Sequence, residues 1–222
     1  MDKSKALVKV PKLKVHVVGS AIDDADWIEN SEYEPDIFKA QLVVFTGGAD
    51  VSPAFYGEPK HPKTSCAAYR DYEESAAFET ANAHRIPMLG ICRGAQLVCA
   101  LSGGRLIQHQ ENPYSRHPIL TIDGSEYIMT SCHHQAMFPY EMGKDQYKVL
   151  GWTEGMSKIH QDGEGKEISD KPFREVEVAY FPKTQALGIQ GHPEWLHERD
   201  KRDAKTLEYC NELVTNLLNK KL

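Results

Sequence analysis

The chain has 222 residues, 41% of them hydrophobic and 26% charged, which is enough to bury one sizeable core and ordinary for a globular protein. Its net charge of −6, from 26 basic and 32 acidic residues, gives no electrostatic reason to expect nucleic acid or an anionic membrane as partner. The five cysteines are odd in number and lack metal-site spacing, no signal peptide or long apolar run is visible, and the ten histidines form no i, i+4 ligand pair. A cytoplasmic protein with no metal and no organic cofactor is therefore expected.

In chain order, residues 1–12 are basic and read as a flexible N-terminal tail, with a single domain over residues 13–222. Leu13 to Val18 is the first predicted strand and Leu42 to Phe45 the next, running into Gly47-Gly48. Asp71 is expected to cap a helix to about His84, with Glu74 three residues on completing a capping box, and Arg70-Asp71 to form a salt bridge. Residues 87–91 form a strand, followed by a helix over 94–101 that Gly103-Gly104 ends. Short β segments are expected around 119–122, 126–130, 147–152 and 176–181. Residues 153–172 are glycine-rich, charged and poorly periodic, which describes a mobile surface loop, either a lid or partner contact near the site or a plain solvated loop. A helix over about 202–218 closes the chain, and no internal repeat is visible. The alternation of strands and helices predicts an α/β fold.

Chemistry concentrates at Pro87-Met-Leu-Gly-Ile-Cys92-Arg-Gly-Ala-Gln, where an apolar strand enters a Gly-x-Cys-x-Gly turn and leaves it as a helix. Such a reversal holds the central residue in a strained conformation, and side chains at Gly90 and Gly94 would strike neighbouring backbone. Cys92 then stands at a helix N-terminus, where the dipole favours thiolate and the Arg93 N–H is free for an oxyanion. A buried structural cysteine is the bland alternative, and the two flanking glycines turn the balance against it. A base comes from Gly188-Ile-Gln-Gly-His192-Pro-Glu194, in which the histidine leaves a short buried strand and Glu194 is placed to fix its tautomer. The Gly47-Gly48 turn after its strand suits the remaining half of an oxyanion hole.

These motifs, with Gly47-Gly48-Ala-Asp50-Val-Ser-Pro, Tyr56-Gly57-Glu58, Arg70-Asp71-Tyr-Glu-Glu74, Gly103-Gly104-Arg-Leu-Ile-Gln108 and Ser131-Cys-His133-His134-Gln135, resemble the class I glutamine amidotransferase-like superfamily, and within it the γ-glutamyl hydrolases of the γ-glutamyl-γ-aminobutyrate hydrolase type. The resemblance covers most of the chain from about Leu13. It implies an open, mostly parallel, doubly wound, flavodoxin-like sheet with helices on both faces and short added β segments. It also implies Cys92, His192 and Glu194 as triad, Gly48 and Arg93 backbone N–H groups as oxyanion hole, and Gln96, His133, His134 and Gln135 around the glutamyl group. Asp50, Tyr56, Arg70 and the Arg93 side chain are candidates for substrate or structural contacts. Two positions depart from the pattern: Cys99 stands where related hydrolases usually carry asparagine, and Gly191 where they carry an aromatic residue, which should leave space beside His192.

The implied reaction is hydrolysis of the γ-glutamyl amide of glutamine or a small γ-glutamyl amide through a thioester on Cys92. The alternative is a glutaminase subunit that supplies ammonia to a synthetase or amidoligase partner, for which the Arg93 after the nucleophile speaks less well, since many such subunits have Leu there. A non-enzymatic relative is disfavoured by the intact triad, and a homodimer is compatible with the sequence.

Overall fold

A computed structural model of the chain describes residues 10–111, 115–168 and 174–222. The first three strands are β1 (Leu13–Val18), β2 (Ser31–Tyr33) and β3 (Leu42–Phe45). After them come helix α1 (Ala68–Ala83), β4 (Met88–Ile91) and helix α2 (Arg93–Leu101). The middle of the chain is β-rich: β5 (Arg105–Ile107), β6 (His109–Gln110), β7 (Ser115–Thr121), β8 (Glu126–Ser131), β9 (Ala136–Phe138), β10 (Lys148–Thr153) and β11 (His160–Gln161). Strands β12 (Glu175–Phe181) and β13 (Ala186–Ile189) and helix α3 (Lys201–Leu218) complete the order.

The central sheet is mostly parallel. Strands β2-β1-β3-β4-β13 pair in parallel, and β12, β10, β7 and β8 extend the same sheet in antiparallel register. The central strands β3, β4 and β13 are buried along their whole length, as expected of strands covered on both faces. One apolar layer joins that sheet to α3 through Leu207, Leu213, Val214 and Leu217, and the other joins it to α1 and α2 through Phe78, Ala81, Leu97 and Val98. Helices thus cover both faces, as the sequence predicts. The β segments foreseen after α2 are not a separate addition, because β7, β8, β10 and β12 carry the main sheet onward.

Two local expectations change. Helix α1 starts at Ala68 after Ala67, so Asp71 lies within the helix and caps nothing; Asp71 and Glu74 instead face inward as buried partners of arginines. Of the tail, residues 1–9 lie outside the described residues, and Pro11 and Lys12 are exposed. The described part of the 153–172 loop is pinned down: β11 pairs with β6, His160 Nε2 lies 3.1 Å from Glu175, and a Cβ on Gly163 would fall 1.8 Å from the Pro59 carbonyl oxygen. That loop is absent from the lining of the candidate site; residues 169–172 lie outside the described residues.

Candidate active site

Ligand sites of open α/β sheets lie beyond the carboxyl ends of the parallel strands, and four chain segments meet there in this molecule. They follow β1, β3, β4 and β13, and together with the turn after β8 they enclose a cavity of about 420 Å³. Cys92 stands between β4 and α2 with φ 50° and ψ −105°, the strained conformation expected of the reversal. The flanking glycines are required by close approach: a Cβ on Gly90 would lie 2.2 Å from the Gly94 carbonyl oxygen, and one on Gly94 would lie 2.1 Å from that of Phe45. The Cys92 N–H donates to Ile189 of β13, tying the elbow to the strand that delivers the histidine.

His192 is held by the end of β8. Its N–H donates to the Thr130 carbonyl at 3.0 Å, and the Thr130 hydroxyl donates back to the His192 carbonyl at 3.0 Å. The ring Nδ1 lies 2.6 Å from Glu194 Oε1, and the Trp195 indole stacks on the imidazole at 3.6 Å. A methyl built on Gly47 would stand 3.1 Å from His192 Cε1 and 3.9 Å from Cys92 Cβ, so the Gly-Gly turn, the cysteine and the histidine converge on one point.

The other imidazole nitrogen does not meet Cys92. Nε2 lies 3.3 Å from Cys132 Sγ, and Cys132 in turn is close enough to Cys92 for the two thiols to shift each other's affinity for protons. This reverses the expected distribution of charge. Burial alone would depress His192, but the hydrogen bonds to Cys132 and Glu194 outweigh it and bring the imidazole up to about 9. The hydrogen bond from Cys92, and after it the contact with His192, lowers Cys132 to about 5 against the opposing effect of burial. Cys92 itself is pushed well above an ordinary thiol by its bond to Cys132 and by burial, although the Arg93 N–H donates to its sulfur.

Gly48, Gln96, His133 and His134 line the cavity with Asp50, whereas Gln135 is absent from its lining. Gln135 Nε2 donates to Thr64 Oγ1 at 2.9 Å and to the Gln108 carbonyl at 3.2 Å. The amide nitrogen of Gln135 is thus spent on buried partners behind the cavity wall. Gln96 Nε2 donates to the Gln135 carbonyl at 2.8 Å, which fixes the 133–135 turn against α2. Burial pushes His133 down to about 3, leaving a neutral ring whose Nδ1 donates to that same carbonyl. His134 Nε2 meets Asp50 at 3.0 Å.

Arg70 and the Arg93 side chain are structural. Arg93 pairs with Asp71 at 2.8 Å and Glu74 at 2.7 Å, while Arg70 pairs with Glu74 and donates to the Gly47 carbonyl at 2.8 Å, bracing the Gly-Gly turn from below. Tyr56 is outside the cavity lining. The room expected beside His192 at Gly191 is filled: a Cβ there would lie 2.1 Å from Met129 Cγ and 2.7 Å from the Thr130 carbonyl oxygen.

Ser20, Asp24, Cys132 and Trp195 also line the cavity. Cys132 and Trp195 adjoin residues that the sequence reading singles out, and adjacency was the available signal. Asp24, whose carboxyl is raised by burial and by Glu194, follows β1 with no local motif to mark it. No group of three or more His, Cys, Asp or Glu that could hold a metal occurs among the described residues, and no described helix is long and apolar enough to cross a membrane.

Residues 29–127 match the peptidase C26 family model. The glutamine amidotransferase-like protein YvdE of Lactococcus lactis is 31% identical over 188 residues, 75% of this chain and 71% of its own. The glutamine-hydrolyzing GMP synthase of Staphylococcus aureus is 29% identical over 136 residues, 61% of this chain but 22% of its own. A crystal structure of a glutamine amidotransferase from Thermotoga maritima shares the fold with a TM-score of 0.56 at 14% identity, covering 93% of this chain and 94% of its own. By its similarity to the Lactococcus lactis protein over 75% of its own length, this chain belongs to the glutamine amidotransferase-like family.

Proposed function

We propose that residues 13–222 act as one cysteine-dependent amidase domain that hydrolyses the γ-glutamyl amide of glutamine or of a small γ-glutamyl amide. The observation that supports this most is the convergence of the Cys92 elbow with the His192–Glu194 pair, 2.6 Å apart, at one cavity on the carboxyl edge of the sheet. In this reading the Cys92 thiolate attacks the γ-carbonyl, and the oxyanion is received by the N–H groups of Gly48 and Arg93. Substrate binding brings Nε2 from Cys132 to Cys92; His192 takes the thiol proton and passes it to the leaving amine. Glu194 holds the imidazolium throughout. Water, activated by the same ring, then cleaves the thioester and releases glutamate, a sequence for which these side chains suffice. Gln96, His133 and His134 border the space left for the glutamyl group.

The test is the rate of ammonia release from glutamine by the purified chain, set beside cleavage of γ-glutamyl amides with larger leaving amines. Turnover by the isolated chain, lost in Cys92→Ala, is the expected result. The second reading, a glutaminase subunit serving a synthetase, draws on the similarity to GMP synthase over 136 residues. A chain inert by itself that gains glutaminase activity only when bound to an ATP-dependent synthetase would replace the hydrolase with that reading.

A further inference from the structure

The amidase chemistry needs one thiol, yet two border this cavity. Cys92 enters from the β4–α2 elbow and Cys132 from the turn after β8, both border the same cavity, and the two thiols lie close enough to shift each other's affinity for protons. Cys132 Sγ is also 3.3 Å from His192 Nε2, whose opposite nitrogen is 2.6 Å from Glu194. Cys132 is half-buried with one side open to the cavity, while Cys99 and Cys210 are buried in the apolar layers and Cys66 lies outside the cavity lining. Reactivity toward peroxides follows thiolate character and access, and a second thiol within reach turns a sulfenic acid into a disulfide rather than leaving it to overoxidise.

We propose that Cys92 and Cys132 form a peroxide-responsive dithiol, with Cys132 the oxidised and Cys92 the resolving sulfur, whose closure as a disulfide reversibly blocks the site. His192 first takes the Cys132 proton. The thiolate attacks one oxygen of a hydroperoxide; the S–O bond forms as the O–O bond breaks, and the departing oxygen leaves as water or alcohol once protonated. Cys92 then attacks the sulfenic sulfur, forming the S–S bond and breaking S–O. The expelled hydroxide leaves as water with the proton that Cys92 gives up. The two sulfurs lose two electrons in all, and the peroxide is reduced by two. The lowered thiol of Cys132 agrees with its being the first to react. That the disulfide stops turnover rests on Cys92 being the amidase nucleophile; that it forms does not.

The intact chain would be treated with hydrogen peroxide, its remaining thiols blocked, and the unreduced digest mapped by mass spectrometry alongside glutaminase or γ-glutamyl amidase rates. The expected result is a Cys92–Cys132 cross-link with the loss of two hydrogens, turnover falling in proportion to it, and dithiothreitol restoring both. Cys132→Ser should form no such link, and any rate it loses to peroxide, relative to its own starting rate, should not return with dithiothreitol. A wild-type map with both cysteines still free, with either linked to Cys66, Cys99 or Cys210, or with Cys132 as a sulfinic acid beside an unlinked Cys92 overturns the proposal without touching the amidase reading. A cross-link formed in a chain that has no amidase activity in either redox state overturns the amidase reading and leaves the dithiol standing.

Discussion

Two charged clusters lie within a few side chains of each other, and they behave oppositely. Beneath the Gly47-Gly48 turn, Arg70, Asp71, Glu74 and Arg93 form a buried ionic network of guanidinium and carboxylate groups. Above it, Cys92, Cys132, His192 and Glu194 form a second network open to the cavity. The lower cluster is held by buried guanidinium–carboxylate pairs and its work is geometric: it sets the turn and the base of α2. The upper cluster is built from thiols and an imidazole whose affinities for protons are moved past one another, His192 up to about 9 and Cys132 down to about 5. One cluster positions and the other exchanges protons, and residue type decides which does which.

Removing chemistry from the upper cluster should cost activity and spare the fold. Cys92→Ala should eliminate measurable turnover with little change in the urea midpoint, since it deletes one sulfur at a cavity wall. His192→Ala should lower kcat by about 10²–10⁴-fold, the usual contribution of a positioned acid-base group. Glu194→Gln, which keeps the base and loses its orienting charge, should fall less far than His192→Ala. If Glu194→Gln is the more damaging of the two, the carboxylate does more than orient the ring.

The lower cluster should show the inverse pattern. Arg93→Met leaves Asp71 without its buried partner and Glu74 with Arg70 alone, a change of about 3–5 kcal/mol in unfolding free energy by the usual cost of breaking a buried pair from one side. Any activity loss should follow displacement of the elbow and be read as reduced kcat in the fraction that remains folded. Full stability in this variant would show that the ionic network is dispensable to the fold.

At the seam between the clusters and β8, Gly191→Ala drives a methyl group into Met129 and the Thr130 carbonyl, an overpacking that typically costs about 1–3 kcal/mol. A neutral or stabilising result would mean that the room expected from the sequence is present after all.

The smallest effect, and the one that sharpens the comparison most, is in the pH dependence of stability. The Cys132 thiol, lowered in the folded state to about 5 from 9.0, adds stability as pH rises between those values and loses it as pH falls through 5. His192, raised to about 9 from 6.5, contributes fully below 6.5 and loses its contribution as pH climbs to 9. The two slopes oppose between 6.5 and 9, so the pair's stabilisation builds from about 5 to 6.5 and then holds level. Urea midpoints at several pH values should show this rise in the wild type, added to the one that buried His133 contributes up to 6.5, and a smaller rise in Cys132→Ala. An unchanged rise in the variant would assign it to other groups.

Much of the molecule was legible before the fold was known. The strands Leu13–Val18 and Leu42–Phe45 stand where their apolar residues place them: the first alternates apolar and polar side chains before Val17-Val18, and the second is a continuous apolar run with few other ways to be buried. The elbow was equally plain, since the clashes that Gly90 and Gly94 avoid are between neighbours in sequence or in the adjoining strand. Asp71 and Glu74 misled for a related reason: Asp-x-x-Glu is a local cap signature, but both carboxylates were committed to arginines elsewhere in space.

Sequence alone therefore determined the strand-turn-helix units, the residue types at the sheet edge and the family to which they are similar, because these rest on contacts within a few residues and on backbone sterics. Tertiary structure alone decided which sulfur touches His192, that Met129 occupies the room beside Gly191, that the Gln135 side chain turns away from the cavity, and that Asp24 faces it. Each of these depends on side chains brought together from distant strands. The direction of every proton shift in the site follows from those meetings, and neither spacing nor periodicity encodes them.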